Sequence, residues 1–184
     1  MGRKLAAFLF LLLCIQQAFA AEKKTEFISL PAEISDSIPW FAIRTWNADN
    51  EPFTKATLQK LAIEKKQVVL TFFATWCLPC REAAKQIIKN MSLFKEQNIE
   101  IIFVDVGEND DIAIGQWINK IGVNDFKVVM DRFGRMTELF GLAKEANKVN
   151  LPKTLILDKN TKPLYLLGRE GDDYIQILSK AKEE

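Results

Sequence analysis

The chain reads as an α/β domain, with helices packed on a central β-sheet, and three observations predict it. "QVVLTFF" (Gln67–Phe73) has the length and the β-branched and aromatic content of a buried strand. The stretch that follows, "REAAKQIIKNMSLFKEQ", spaces Ala84, Ile87, Ile88, Met91 and Leu93 or Phe94 as a helix does. A second strand run, "IEIIFVDV" (Ile99–Val106), completes a βαβ unit, which is right-handed by rule.

The remaining elements follow in order. Residues 21–36 form a polar lead with little periodicity, and the domain proper runs over 37–184. A helix is expected near Lys55–Lys65, where Leu58, Leu61 and Ala62 share a face. "DDIAIGQWINKIG" reads as a helix, "KVVMD" as a short strand and "RMTELFGLA" as the next helix. "TLILD" and "PLYLLGRE" are separated by "KNTK", which reads as a hairpin turn. "DDYIQILSKAKEE" closes the chain as an amphipathic helix. Repeats and low-complexity tracts are absent from the sequence.

The 184 residues suffice for one domain with its own core. With 25 Lys and Arg against 24 Asp and Glu, no basic excess points to nucleic acid or to anionic lipid. A monomer is expected. The first twenty residues have a different character. Arg3 and Lys4 precede the apolar run "LAAFLFLLLCI", and small residues Ala18 and Ala20 end the segment in an A-x-A pattern. The apolar run is shorter than the roughly 20 residues of a spanning helix. It is therefore expected to be a secretory signal cleaved after Ala20, with a membrane-anchored form as the alternative if it is retained. Cleavage removes Cys14, leaving only Cys77 and Cys80, in an extracytoplasmic, periplasm-like space where disulfides persist.

That pair, in "TFFATWCLPCRE", admits three readings: a metal site, a structural staple or a redox couple. Structural zinc needs four Cys or His ligands, and the chain has no histidine. A bridge closing so short a loop removes little entropy from the unfolded chain. The flanks favour redox chemistry. Cys77 falls at or just before a helix N-terminus, with Pro79 and Cys80 in the first turn. The unpaired N–H groups and positive dipole end there stabilise a thiolate, and a resolving thiol lies beside it. No metal and no cofactor beyond the Cys77–Cys80 disulfide is expected.

The motif "FFATWCLPCRE" resembles the F-W-A-x-W-C-x-P-C-[RK]-x-E signature of thioredoxin-like proteins, and more narrowly of the TlpA/ResA/CcmG-type bacterial reductases. "IPWFAIRTWNADNEPFT" resembles their N-terminal β-hairpin, with "ADNE" as its turn, and "IEIIFVDVGEND" their second core strand and V-G-E loop. Residues 110–130 resemble the helix and strand this group inserts into the core. "NLPKTLILD" resembles the segment carrying the family's cis-proline, here Pro152, preceded by Leu151. The resemblance, which covers roughly Ile38–Ile177, implies a thioredoxin-like fold. That fold is a central mixed β-sheet flanked by helices, with an N-terminal hairpin and an inserted helix–strand unit. It also implies that Trp76, Pro79, Leu151 and Pro152 support catalysis by Cys77 and Cys80.

The chain departs from the family pattern at several points. The buried Asp of thioredoxin proper, six residues before the first cysteine, is Thr71 here. The Glu of ResA-type reductases, three residues after the second cysteine, is Ala83, and the helix-kinking Pro is Lys85. Proton handling for Cys80 is thereby left to Glu82, about 100° round the helix, or to Glu108 in the V-G-E loop, whose plainer reading is a solvated acid. Asp105, in an apolar strand, reads as a strand-end acid facing outward. Trp40, Trp46 and Trp117 read as core or hairpin residues. The segment "FGLAKEANKVNLPK" is longer than its family counterpart and brings Lys144, Lys148 and Lys153 near the site, as a surface loop or a substrate-selecting lip.

The expected function is a thiol–disulfide oxidoreductase acting as a reductant. Leu78 and Pro79 supply neither charge nor side-chain donor, so the helix end alone lowers the Cys77 pKa and the couple stays reducing. The resemblance implies protein disulfides as substrates, apocytochrome c among them, and a membrane thiol-transfer protein as electron donor. The alternatives are a disulfide oxidase or isomerase, and a non-catalytic binding or chaperone protein. A peroxiredoxin T-x-x-C pattern would need Thr in place of Ala74.

Overall fold

The computed structural model describes residues 22–46, 51–145 and 148–180. The expected export segment, the tip of the N-terminal hairpin and the last four residues lie outside the described residues. One eight-stranded sheet is built from β1 (Phe27–Ile28), β2 (Ala42–Thr45), β3 (Pro52–Thr54), β4 (Gln67–Phe73), β5 (Ile99–Val106), β6 (Lys127–Asp131), β7 (Lys153–Asp158) and β8 (Pro163–Leu167). Their spatial order is β1-β8-β7-β4-β5-β6-β2-β3. β4, β5 and β6 run parallel, whereas β7 and β8 return antiparallel on one side and β2 and β3 on the other. The sheet is mixed, as the sequence predicts.

Strand alternation sends side chains to two separate cores. On one face Val69, Phe73, Ile101, Phe103, Val128, Met130 and Ile156 are covered by α2 (Leu78–Lys89), α4 (Asp111–Ile121) and α6 (Tyr174–Ser179). On the other, Val68, Leu70, Phe72, Ile102, Val104 and Leu155 meet α1 (Lys55–Glu64) and α5 (Arg135–Leu139). β4 is buried along its whole length because both faces are covered, which is why it reads as a continuous apolar run. Trp117 of α4 stacks on Phe73 with ring centroids 4.1 Å apart, fixing that helix over the end of β4.

Local chemistry sets the helix ends. The Asp110 carboxylate accepts from Ile112 N and Ala113 N at 3.0 Å, starting α4, and Gly122 ends it in the left-handed region at φ 89°. The buried Asp131 accepts from Met136 N at 3.1 Å and Thr137 N at 2.8 Å and so opens α5.

Three expectations need correction, and the polar lead adds a pairing: β1 joins β8, and Ile34, in a 3-10 turn, enters the core. A two-residue strand is too short to show a period. The helix after the cysteines breaks at Asn90, whose N–H bonds to Ile87 O at 3.0 Å, and the chain restarts as α3 (Met91–Glu96). Trp40 is exposed rather than packed. Asp105 faces inward and is fully buried, because two residues beyond Phe103 on a strand is the same face.

Trp117→Ala removes the stacked ring and should cost about 3–5 kcal/mol. Urea unfolding should show a lower midpoint at unchanged slope.

Candidate active site

The strand β4 ends at Phe73, and after four intervening residues the chain enters α2 at Leu78. Cys77 N donates to Ala74 O at 3.0 Å, closing a tight turn, and Cys77 then acts as the helix N-cap: its Sγ accepts from Cys80 N at 3.2 Å. Pro79 sits in the first turn, where it costs no backbone bond. Cys77 and Cys80 form a disulfide with an S–S distance of 2.04 Å. The Cys80 sulfur lies deeper, 4.0 Å from Phe72 O, and both cysteines are buried. Trp76 and Leu78, 64% and 66% exposed, flank Cys77 with an apolar rim. When the disulfide opens, the same helix-end donors face the Cys77 sulfur and favour its thiolate.

One cleft adjoins this rim at Leu78, and Arg169 lines both it and a second cleft. The first, of about 350 Å³, is bounded by Leu78, Pro79, Glu82, Ala83 and Glu170. The other, of about 230 Å³, is bounded by Lys24, Glu26, Asn150, Leu151, Pro152 and Lys153. The Leu151–Pro152 peptide is cis. Burial holds the Lys153 ammonium below the ordinary lysine range, and burial pushes Glu170 up to about 7. Lys144 is exposed and Lys148 pairs with Glu145 at 2.7 Å; neither lines these clefts.

The candidate acids divide sharply. Glu82 is exposed and pairs with Lys85 at 2.8 Å. Thr71 is buried opposite Thr154, which shares a 2.9 Å hydrogen bond with Tyr174 Oη. Glu108 is not a free loop acid. Its Oε2 accepts from Thr75 N and its Oε1 from Thr75 Oγ1, both at 2.6 Å, while Arg81 Nη2 donates to Thr75 O at 2.6 Å. The turn entering Cys77 is thus held from β5's end and from α2 at once. Beside Glu108 lies Asp105, which the sequence reading turned outward. Its pKa is raised to about 9, chiefly by burial and further by the Glu108 and Asp131 carboxylates. The alternation Ile101, Phe103, Asp105 was the signal that could have found it. Arg169 and Glu170 carried no local pattern and are brought to the site by β8.

Sheet order, the helix-capped cysteine pair and the cis-proline together define a thioredoxin-like protein. The chain belongs to the AhpC/TSA family, whose model matches residues 34–162. It is similar to the thiol-disulfide oxidoreductase ResA of Bacillus thuringiensis (strain Al Hakam), 30% identical over 115 residues that cover 62% of each protein. It is likewise similar to ResA of Bacillus subtilis (strain 168), 31% identical over 100 residues, 54% of this chain and 51% of that protein. The chain therefore spans between half and two thirds of the length of these relatives. Among solved structures, a candidate protein disulfide isomerase of Bacteroides thetaiotaomicron superposes with a TM-score of 0.64, at 19% identity, over 85% of this chain and 89% of that one. A secreted Mycobacterium tuberculosis disulfide oxidoreductase gives 0.59 at 17% identity, over 77% and 96%. At such identities these structures speak for the fold alone.

The raised Asp105 pKa has a consequence for stability. The folded chain keeps this proton up to about pH 9, whereas an unfolded Asp loses it near 3.8. Across that window the native state binds more protons, so this group makes stability fall as pH rises. Asp105→Asn should remove the slope, and urea titrations at pH 5, 7 and 9 should show the variant gaining on the parent with each step.

Proposed function

We propose that this chain is a thiol–disulfide oxidoreductase that reduces disulfides of extracytoplasmic proteins through Cys77 and Cys80. The observation that carries the reading is the Cys77–Cys80 disulfide at the start of α2, Cys77 capping the helix between two exposed apolar side chains. The names of the ResA relatives support the same chemistry.

In the reductive direction the Cys77 thiolate attacks one sulfur of a substrate disulfide. A mixed disulfide forms, and the other substrate sulfur leaves as a thiolate and takes a proton. Cys80 then loses its proton and attacks Cys77 Sγ, which releases the second substrate thiol. Two electrons have passed to the substrate, and the protein is left as its disulfide. Trp76 and Leu78 give the substrate an apolar seat, and the Leu151–Pro152 loop leaves adjacent backbone to pair with an extended substrate strand. Leu78 and Pro79 add no charge beside Cys77, so the thiolate owes its stabilisation to the helix end and the couple stays reducing.

A reductant in an oxidising space must be recharged. A membrane thiol-transfer protein is the electron donor this reading requires, with apocytochrome c among the substrates. Residues 1–20 serve as the export signal, cleaved after Ala20 or retained as an anchor, and no cofactor beyond the two cysteines takes part.

Dithiothreitol-driven reduction of insulin tests the reading. Cys77→Ser should lower the rate to the uncatalysed background. Pre-reduced Cys80→Ser, mixed with insulin after the dithiothreitol is removed, should accumulate a covalent mixed disulfide with the substrate, visible by mass spectrometry and released by added thiol. Undiminished turnover by Cys77→Ser would overturn the assignment.

A further inference from the structure

Part of the polar lead runs across the active-site end of the sheet. Lys23–Ile28 form a strap over the end of β8, and the backbone fixes it there. Lys23 N donates to Asp172 Oδ2 at 2.9 Å, Asp172 N to Lys23 O at 2.6 Å and Thr25 N to Asp173 Oδ1 at 2.8 Å. Glu26 N donates to Arg169 O at 2.9 Å. Gly171 lies so close that a Cβ there would collide with the strap backbone at Lys23–Thr25.

The strap carries a cation into the cleft beside the cis-proline. That cleft is lined by Lys24 from the strap, Lys153 from β7 and Arg169 from the end of β8, with Glu26 as its one acid. The chain as a whole has a formal charge of only +1, so three cations at one cleft do not reflect a generally basic surface. The cleft also lies one strand from the redox pair. Lys153 is in register with Phe72 of β4, and Phe72 O is 4.0 Å from the Cys80 sulfur. The neighbouring acids are engaged with backbone donors: Glu26 Oε2 accepts from Arg169 N at 3.1 Å, and Asp173 holds Thr25 N. The charged heads of Lys24, Lys153 and Arg169 make no salt bridge among the described residues.

We propose that Lys24, Lys153 and Arg169 form a carboxylate-selecting subsite, which makes the Cys77–Cys80 pair prefer disulfides with an acidic residue beside the attacked cysteine. The inference rests on the redox reading above and names the substrate class that the site favours. The strap, through Lys24, is part of the substrate site. Arg169 presents a planar fork to a carboxylate, and the two lysines add point charges. Each such contact at an exposed cleft contributes little alone, but converging cations speed the encounter with an acidic partner. The cleft at Leu78 lacks this bias, because there Lys23 and Arg169 face Glu82 and Glu170. Selection is therefore confined to the cleft beside Pro152, where an extended substrate strand would run.

The test uses pre-reduced protein, freed of reductant and mixed with disulfide-linked peptides of one sequence. The peptides differ only in a Glu, Gln or Lys next to the cysteine. In each reaction Cys77 and Cys80 give up two electrons and two protons, the peptide disulfide splits into two thiols, and the protein closes to its own disulfide. At low salt the second-order rate constant should be about tenfold higher for the Glu than for the Lys peptide, with Gln between, and the ratio should shrink as salt is added. Lys24→Ala and Arg169→Ala, both at exposed positions, should each lower that ratio by about two- to threefold. Lys89→Ala removes the same charge at the far end of α2 and should leave the ratio at the parental value. A parental ratio near one, a ratio unmoved by Lys24→Ala, or an equal fall in Lys89→Ala overturns the proposal. Failure to reduce any of the peptides, and hydroxyethyl disulfide as well, would instead remove the redox reading, so the two failures are distinguishable.

Discussion

The chemistry of this chain depends on one junction, where the fully buried strand ending at Phe73 becomes the helix beginning at Leu78. Only the residues between them separate the dry sheet from the helix-capping Cys77. The junction is fixed covalently by Cys77–Cys80 and by Cys77 N on Ala74 O. It is held from below by Phe73 against Trp117, and from the side by Glu108 and Arg81 on Thr75. The restraints come from α2, from Trp117 of α4 and from Glu108 beyond β5, so the geometry at Cys77 is a property of the assembled sheet and helices rather than of the C-x-x-C segment alone. The helix end delivers its donors to a sulfur only because the strand beneath cannot move.

The same junction explains where polarity is tolerated in the core. The face under α2 carries Thr71, Thr154, Tyr174 and Asp105 among aliphatic and aromatic neighbours. Thr154 and Tyr174 satisfy each other at 2.9 Å, whereas Asp105 is fully buried and stays protonated at neutral pH. Burying a neutral acid costs far less than burying a carboxylate.

Much of this was legible in the sequence. The length and composition of Gln67–Phe73 and the C-x-x-C spacing pointed to the central strand and the helix start, because each reflects a local constraint, whereas the cis-proline was implied by the family resemblance of the L-P-x-T segment. What escaped has a common cause. The pairing of Phe27–Ile28 with β8 joins residues far apart in the chain, and a two-residue strand has no period. The break at Asn90 leaves the apolar spacing intact, so only the backbone reveals it. Glu108 reads as a solvated acid until Thr75 is brought beside it, and Arg169 reaches the cleft through sheet order alone. Asp105 is the instructive miss: its alternation with Ile101 and Phe103 on one strand argued for burial, but the habit of placing an acid outward prevailed.

The most direct test of the account is the equilibrium reduction potential of the Cys77–Cys80 couple at neutral pH, against a glutathione or dithiothreitol series. A helix end acting without an adjacent charge should leave the couple near or below about −230 mV, in the range of thioredoxins and the more reducing glutaredoxins. A value above about −180 mV, toward the strongly oxidising disulfide donors, would contradict it. The thiolate would then owe its stability to another cation, and half-buried Lys153 beside Pro152 is the first to remove.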